Sequence, residues 1–275
     1  MALVELALAR GPVRIEYEWL RPEAKDRPLL VFLHEGLGSV AMWKDFPARL
    51  CAEGDFCGLV YSRPGYGKSS PRPAGEKRPV GFMHDQAREV LPALLDALDI
   101  GKGAGKDADD LPRLFGHSDG CSITLIYAAS FPRRLAGAVV VAPHTFVEDF
   151  SPESIRQARE AYAGGKLAQR LAPYHDDVDS AFHGWNDVWL DPEFRKWSIE
   201  ALLPEIVFPL LAVQGFQDEY GTMEQIEKIG RAVPSSKLVK LDRCRHSPHS
   251  DQPDALIEAT SHFIKETIAC ATLPN

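Results

Sequence analysis

The chain has 275 residues, 45% of them hydrophobic and 25% charged, ample for a sizeable globular core in one large domain or two small ones. A formal net charge of −8, with no run of Lys and Arg, speaks against nucleic acid or an anionic membrane as partner. Five cysteines without a CxxC pair give no sign of a disulfide framework or a zinc knuckle, and fit a reducing, cytoplasmic setting.

The opening MALVELALA is apolar but lacks a basic start and is interrupted by Glu5, so it reads as a strand rather than a secretion signal. Alternation continues with Val13, Ile15 and Tyr17 set against Arg14, Glu16 and Glu18, the period of a half-buried antiparallel strand. Short unalternating apolar runs follow at 27–35, 56–63, 111–118, 135–143, 208–215 and 236–242. Strands buried on both faces look like this, and such burial belongs to parallel sheets covered by helices.

Helical patterns lie between the runs. In MHDQAREVLPALLDALDI the apolar residues Met83, Ala87, Val90, Leu91, Leu94, Leu95 and Leu98 recur at helical steps, with Pro92 implying a kink or a later start. A second amphipathic helix is expected at 254–269. Strand–helix alternation of this kind implies a doubly wound α/β fold. The interval 144–207 has helix-like pieces, no convincing strand and a cluster of aromatics: Tyr174, Phe182, Trp185, Trp189 and Trp197. It reads as a helical insertion between core segments 1–143 and 208–275. The Gly-rich stretch 101–110 reads as a polar loop.

The chemistry concentrates at Gly116-His117-Ser118-Asp119-Gly120, a G-x-S-x-G pattern between an expected strand and an expected helix. A nucleophilic hydroxyl needs a sharp strand-to-helix turn at the sheet edge, and flanking glycines permit it. The alternative is a glycine-dependent turn with Ser118 as a helix N-cap. A serine hydroxyl also needs a base and a group to orient that base. Carboxylates Asp218 and Glu219 follow the run ending at Gly215, and imidazoles His246 and His249 follow the run 236–242. Both loops leave the sheet on the same carboxyl side as Ser118, where open α/β sheets build their sites. His246, His249 and Asp251 could also be metal ligands, but no third cluster at ligand spacing appears.

Taken together, VFLHEGLGS (31–39), SRPGYGKSS (62–70), GHSDG (116–120), QGFQDEYG (214–221) and RHSPHSDQP (245–253) resemble the motifs of the α/β-hydrolase superfamily along nearly the whole chain. The resemblance implies an α/β-hydrolase fold, a mostly parallel doubly wound sheet with a helical cap at 144–207. It implies Ser118 as nucleophile, His246 rather than His249 as base, and Asp218 rather than Glu219 as orienting acid. His117 then has no claim to be the base. The backbone amides of Asp119 and Gly36 would form the oxyanion hole, with Leu37 as donor if the loop shifts.

One departure stands out. The family has His-Gly where this chain has His34-Glu35-Gly36. Glu35 is either a surface or ion-pairing residue or a recognition group for a basic or hydroxyl group on substrate. The Asp119 carboxylate either favours the helix N-terminus or touches substrate. His34 and Arg63 read as loop braces. Glu35, Leu37, His144, Trp185 and Trp189 are the candidate pocket residues. The resemblance implies a carboxylic ester hydrolase acting on a moderately apolar small molecule, with no metal or organic cofactor required. Serine at the nucleophile position argues against the aspartate-dependent dehalogenases and epoxide hydrolases. The alternatives are a carbon–carbon bond hydrolase of aromatic ring-fission products and a non-catalytic binding member of the fold.

Overall fold

The structure is a computed structural model that describes residues 1–73, 75–101 and 111–271. Eight strands form one sheet: β1 (Ala2–Leu8), β2 (Gly11–Leu20), β3 (Leu29–Leu33), β4 (Cys57–Tyr61), β5 (Arg113–His117), β6 (Gly137–Val141), β7 (Leu210–Gly215) and β8 (Ser236–Leu241). Their spatial order is β1-β2-β4-β3-β5-β6-β7-β8. The β1–β2 hairpin pairs antiparallel, as its alternating side chains require, and β2 joins β4 antiparallel. Every later pairing is parallel.

The short apolar runs become strands because both of their faces meet helices. In β3, Leu30 and Phe32 enter the core on one side of the sheet, while Val31 and Leu33 enter the core on the other. Full burial of each such side chain is worth about 1.5–3 kcal/mol, so two-sided strands carry much of the fold's apolar stabilisation. The order reverses between β3 and β5: β4 lies on one side of β3, and the chain then returns to the other side. A crevice at the carboxyl ends of such strands is the usual place for a ligand.

Three expectations need adjustment. The run at 236–242 is a strand, but with half-exposed residues such as Leu238, because β8 is the sheet edge and pairs only with β7. The helical pattern after Met83 is broken: Phe82–Asp85 is α-helical, Gln86–Val90 is a π-turn, and Leu91–Ala97 resumes with Pro92 in its first turn. The wider turn accommodates a proline that cannot donate to the preceding helical residues. Helix Val178–Trp189 was not anticipated, although Asp177 caps it by accepting from the Ser180 amide. The loop expected at 101–110 lies, beyond Gly101, outside the described residues.

Between β6 and β7 the chain forms helices Ser151–Ala163, Lys166–Leu171 and Val178–Trp189 with short 3-10 turns, and one isolated bridge, Phe146 with Ser198. Phe182 stacks on Tyr162 with ring centroids 3.7 Å apart, joining two of these helices. No described helix is long and apolar enough to cross a membrane.

Candidate active site

At the end of β5 the backbone turns abruptly. Ser118 takes φ +53° and ψ −117°, and helix Asp119–Ser130 starts at the next residue. A non-glycine residue in that region costs about 1–3 kcal/mol and persists only where its surroundings enforce it. Here the enforcement is visible. A Cβ on Gly120 would stand 2.1 Å from the Leu33 carbonyl oxygen, and one on Gly116 would stand 2.6 Å from the Gly120 oxygen. The Ser118 amide donates to the Val141 carbonyl at 3.0 Å, and the Ser118 carbonyl accepts from the Cys121 amide at 2.8 Å. The hydroxyl makes no capping bond. Its Oγ lies 2.9 Å from His246 Nε2.

His246 sits in the loop after β8 and Asp218 in the loop after β7. His246 Nδ1 is 2.9 and 3.0 Å from the two Asp218 oxygens. The Asp218 side chain is fully buried and accepts further bonds from the Tyr220 amide at 2.8 Å, the Gly221 amide at 3.3 Å and Gln214 Nε2 at 2.8 Å. A carboxylate can only accept, so Nδ1 carries the proton and Nε2 is left to accept from the serine hydroxyl. Burial works against charge on both groups. The mutual attraction and hydrogen bond of the pair outweigh it, holding Asp218 below its ordinary range and lifting His246 above 6.5. Glu219, the neighbouring carboxylate, instead accepts from the His246 amide at 3.2 Å.

Four other histidines surround this array. Burial keeps His117 well below the ordinary imidazole range and presses His144 to about 3 and His249 to about 4. They are neutral, so any positive charge gathers on His246. His117 donates from Nε2 to the His246 carbonyl at 2.7 Å, and His249 packs edge-on against Trp43. His34 accepts the Arg63 amide at Nε2, 3.0 Å away, and donates from Nδ1 to the Glu35 carbonyl at 2.7 Å. No group of three or more His, Cys, Asp or Glu among the described residues is arranged to hold a metal ion.

The loop after β3 faces Ser118 across the crevice. The amides of Gly36 and Asp119 have no acceptor among the described residues, whereas the Leu37 amide donates to Glu35 Oε2. Leu37 is thus engaged and Gly36 is not. Glu35 is no surface residue: its half-buried side chain lines the same cavity as Ser118 and His246. Buried Arg63 donates from Nη2 to the Glu35 carbonyl at 2.7 Å, and its Nη1 lies 3.9 Å from Asp119 Oδ2.

Helix Val178–Trp189 touches both of these amide-bearing residues. The Trp185 indole lies so close to Gly36 that a Cβ there would stand 2.2 Å from it. One turn later Trp189 donates from Nε1 to Asp119 Oδ1 at 3.1 Å. Burial pushes the Asp119 carboxyl up despite nearby Arg63 and the Trp189 bond. Sequence reading placed Asp119, Trp185 and Trp189 near the pocket but missed the bond between them. The signal was the four-residue spacing of the two tryptophans, which puts both on one helix face. Tyr220, whose ring centroid lies 4.7 Å from that of His246, was missed too. Its place beside Asp218 was the only hint.

These groups open on a cavity of about 500 Å³. Ile155, Leu167 and Leu171 give it an apolar wall from the helical segment, with Trp185, Trp189 and His144 below. Exposed Lys44 and Arg170 also line it.

A family model described as alpha/beta hydrolase family matches residues 30–259. The chain belongs to the α/β-hydrolase family. It is similar to the 2-hydroxy-6-oxo-6-phenylhexa-2,4-dienoate hydrolase of Burkholderia cepacia, 23% identical over 265 residues, covering 86% of this chain and 87% of that protein. Its fold is similar to that of an esterase from Thermogutta terrifontis, with a TM-score of 0.71 at 18% identity, covering 97% of this chain and 99% of that one. It is equally similar to the enol-lactonase of Burkholderia xenovorans LB400, with a TM-score of 0.71 at 14% identity and coverages of 95% and 100%. Identities this low carry the fold alone.

Proposed function

We propose that the protein is a serine hydrolase that cleaves a small carboxylic ester or related acyl compound. Ser118 is the nucleophile, His246 the general base and Asp218 the group that orients it. The observation that carries this reading is the unbroken chain of contacts from Ser118 Oγ to His246 Nε2 at 2.9 Å and from Nδ1 to the buried Asp218 carboxylate at 2.9 Å. The strained turn presents that hydroxyl to the cavity.

In this reading Ser118 attacks the substrate carbonyl as His246 takes its proton, and Asp218 stabilises the imidazolium that forms. The negative oxygen of the tetrahedral intermediate meets the amides of Asp119 and Gly36, which have no other acceptor among the described residues. The Asp119 amide opens a helix, so the dipole adds to the attraction. His246 returns its proton to the leaving group, then activates water to release the acyl chain. Segment 144–207 acts as a cap whose apolar side chains select a moderately apolar acyl group.

Likeness to the dienoate hydrolase favours a second reading, hydrolysis of a carbon–carbon bond in a ring-fission product. The same three residues would serve. Turnover of p-nitrophenyl esters, lactones and a ring-fission dienoate, beside labelling by a fluorophosphonate, tests both. Ser118→Ala is expected to abolish labelling and lower kcat by about 10⁴-fold or more. Hydrolysis undiminished in that variant would overturn the assignment, and a folded wild-type protein that is not labelled would favour a binding role.

A further inference from the structure

Glu35 directly precedes Gly36, whose amide is proposed to receive the oxyanion. Its carboxylate lines the cavity beside Ser118 and His246. One oxygen, Oε2, accepts the Leu37 amide, and Oε1 has no partner among the described residues. No Lys, Arg or His among the described residues forms an ion pair with it. Arg63, the nearest cation in the fold of this loop, spends Nη2 on the Glu35 backbone carbonyl, while its Nη1 lies nearest the Asp119 carboxylate.

A half-buried carboxylate with no cation partner is costly to keep. Burial duly raises the Glu35 carboxyl to about 6, against the Leu37 hydrogen bond and the attraction of Arg63. At neutral pH it is still mostly ionised, so the cavity carries a negative charge a few bonds from the proposed oxyanion donor. A loop brace alone would not require that charge, since a neutral amide oxygen could accept the Leu37 bond equally well. The groups that act on it are Arg63, Asp119 and His246, none of which neutralises it. Lys44 and Arg170, which also line the cavity, are exposed to water that screens them and form no ion pair with Glu35 among the described residues.

Resting on the serine hydrolase reading, we propose that Glu35 determines specificity by binding a protonated amine carried by the substrate close to its reacting carbonyl. A substrate ammonium supplies the charge and the donors that Oε1 lacks. A hydroxyl in the same place supplies a donor without the charge and is bound less tightly. A hydrogen there leaves the carboxylate unmatched. A polar site of this kind discriminates strongly, because the wrong substrate leaves a desolvated group unpaired.

The test uses three esters of one shape: the ethyl esters of alanine, lactate and propionate. In the wild type kcat/KM is expected to fall in that order, with alanine over propionate by about tenfold or more. Glu35→Gln keeps an oxygen for the Leu37 amide, and fluorophosphonate labelling checks that the variant remains folded. There the alanine-to-propionate ratio is expected to drop to near one. A wild type without preference for the alanine ester, a preference that survives in Glu35→Gln, or a labelled enzyme that turns over none of the three would each overturn the proposal. Absence of labelling would instead sink the hydrolase reading. Quenching of the cavity tryptophans by n-butylammonium would then decide the Glu35 proposal: about tenfold weaker binding in Glu35→Gln supports it, and equal binding overturns it.

Discussion

The cavity has two walls, and they are held in place differently. The wall built by strand ends carries Ser118, Gly36, Asp218 and His246 on the loops after β5, β3, β7 and β8. Parallel register fixes these loops relative to one another: Leu33 pairs with Gly116, and Gly215 with Leu241. The wall built by the helical segment carries Ile155, Leu167, Leu171, Trp185 and Trp189, positioned by side-chain packing and by scattered side-chain hydrogen bonds such as Trp189 to Asp119 rather than by a strand ladder. Ladder hydrogen bonds admit no partial shift, whereas packed aromatics can resettle by tenths of an ångström. Changes on the first wall should therefore remove function outright, and changes on the second should grade it.

The sharpest expected break is Asp218→Asn. The substitution keeps the volume but removes the charge that holds the proton on His246 Nδ1, so kcat should fall by about 10⁴-fold. The pH profile adds a sign. In the proposed mechanism protonated His246 cannot take the serine proton, so activity is expected above its pKa and should be lost as pH falls through it. The neighbouring carboxylate lifts that pKa above 6.5, so the acid limb of kcat/KM should lie above pH 6.5 in the wild type and move down in Asp218→Asn residual activity. A limb that stays in place would mean that Asp218 does not act on the base.

Gly120→Ala probes the same wall through its backbone. Alanine favours a helix interior by about 1 kcal/mol over glycine, yet here its Cβ would meet the Leu33 carbonyl at 2.1 Å. The strand end cannot move without breaking the β3–β5 ladder, so the clash should win, costing about 1–3 kcal/mol. A lowered urea midpoint at unchanged slope is the expected result. A stabilised variant would show that the sheet end is more yielding than its pairing implies.

Trp189→Phe lies where the two walls meet. It retains an aromatic ring but removes the donor to Asp119 Oδ1, leaving a buried carboxyl whose other oxygen already has no hydrogen bond among the described residues. The loss should be about 1–3 kcal/mol of stability. Because the Asp119 amide is a proposed oxyanion donor, kcat should fall more than KM rises. The reverse pattern would make Trp189 a substrate contact and nothing more.

How far each wall could be read from the sequence follows the same division. GHSDG between a strand and a helix specified its own geometry, because a serine flanked by two glycines has few other uses there. The apolar runs gave the parallel sheet, and their spacing put Asp218 and His246 on its carboxyl side. What stayed hidden was produced by contacts between distant segments. Glu35 could be seen as a departure, but its path into the cavity depends on the Leu37 amide and on Arg63 holding its carbonyl. The tie from Trp189 to Asp119 joins residues 70 positions apart and leaves no local pattern. Aromatics in a helix fill a core and line a pocket with the same side chains, so composition alone cannot divide the two roles.

The smallest effect separates those roles at one position. Leu167 is half-buried and lines the cavity from helix Lys166–Leu171, an element that carries none of the proposed catalytic residues. Leu167→Ala should cost less than about 1 kcal/mol of stability, since a partly exposed side chain leaves little cavity behind. A long acyl chain would lose the same apolar contact in the ground state and in the transition state. Uniform loss of that kind raises KM and leaves kcat in place. The rise should be about tenfold at most for p-nitrophenyl hexanoate and negligible for p-nitrophenyl acetate, whose single methyl group offers Leu167 little apolar surface. Equal damage to both esters would mean that the helical wall positions the strand-end wall as well as the substrate, and the two would have to be treated as one unit.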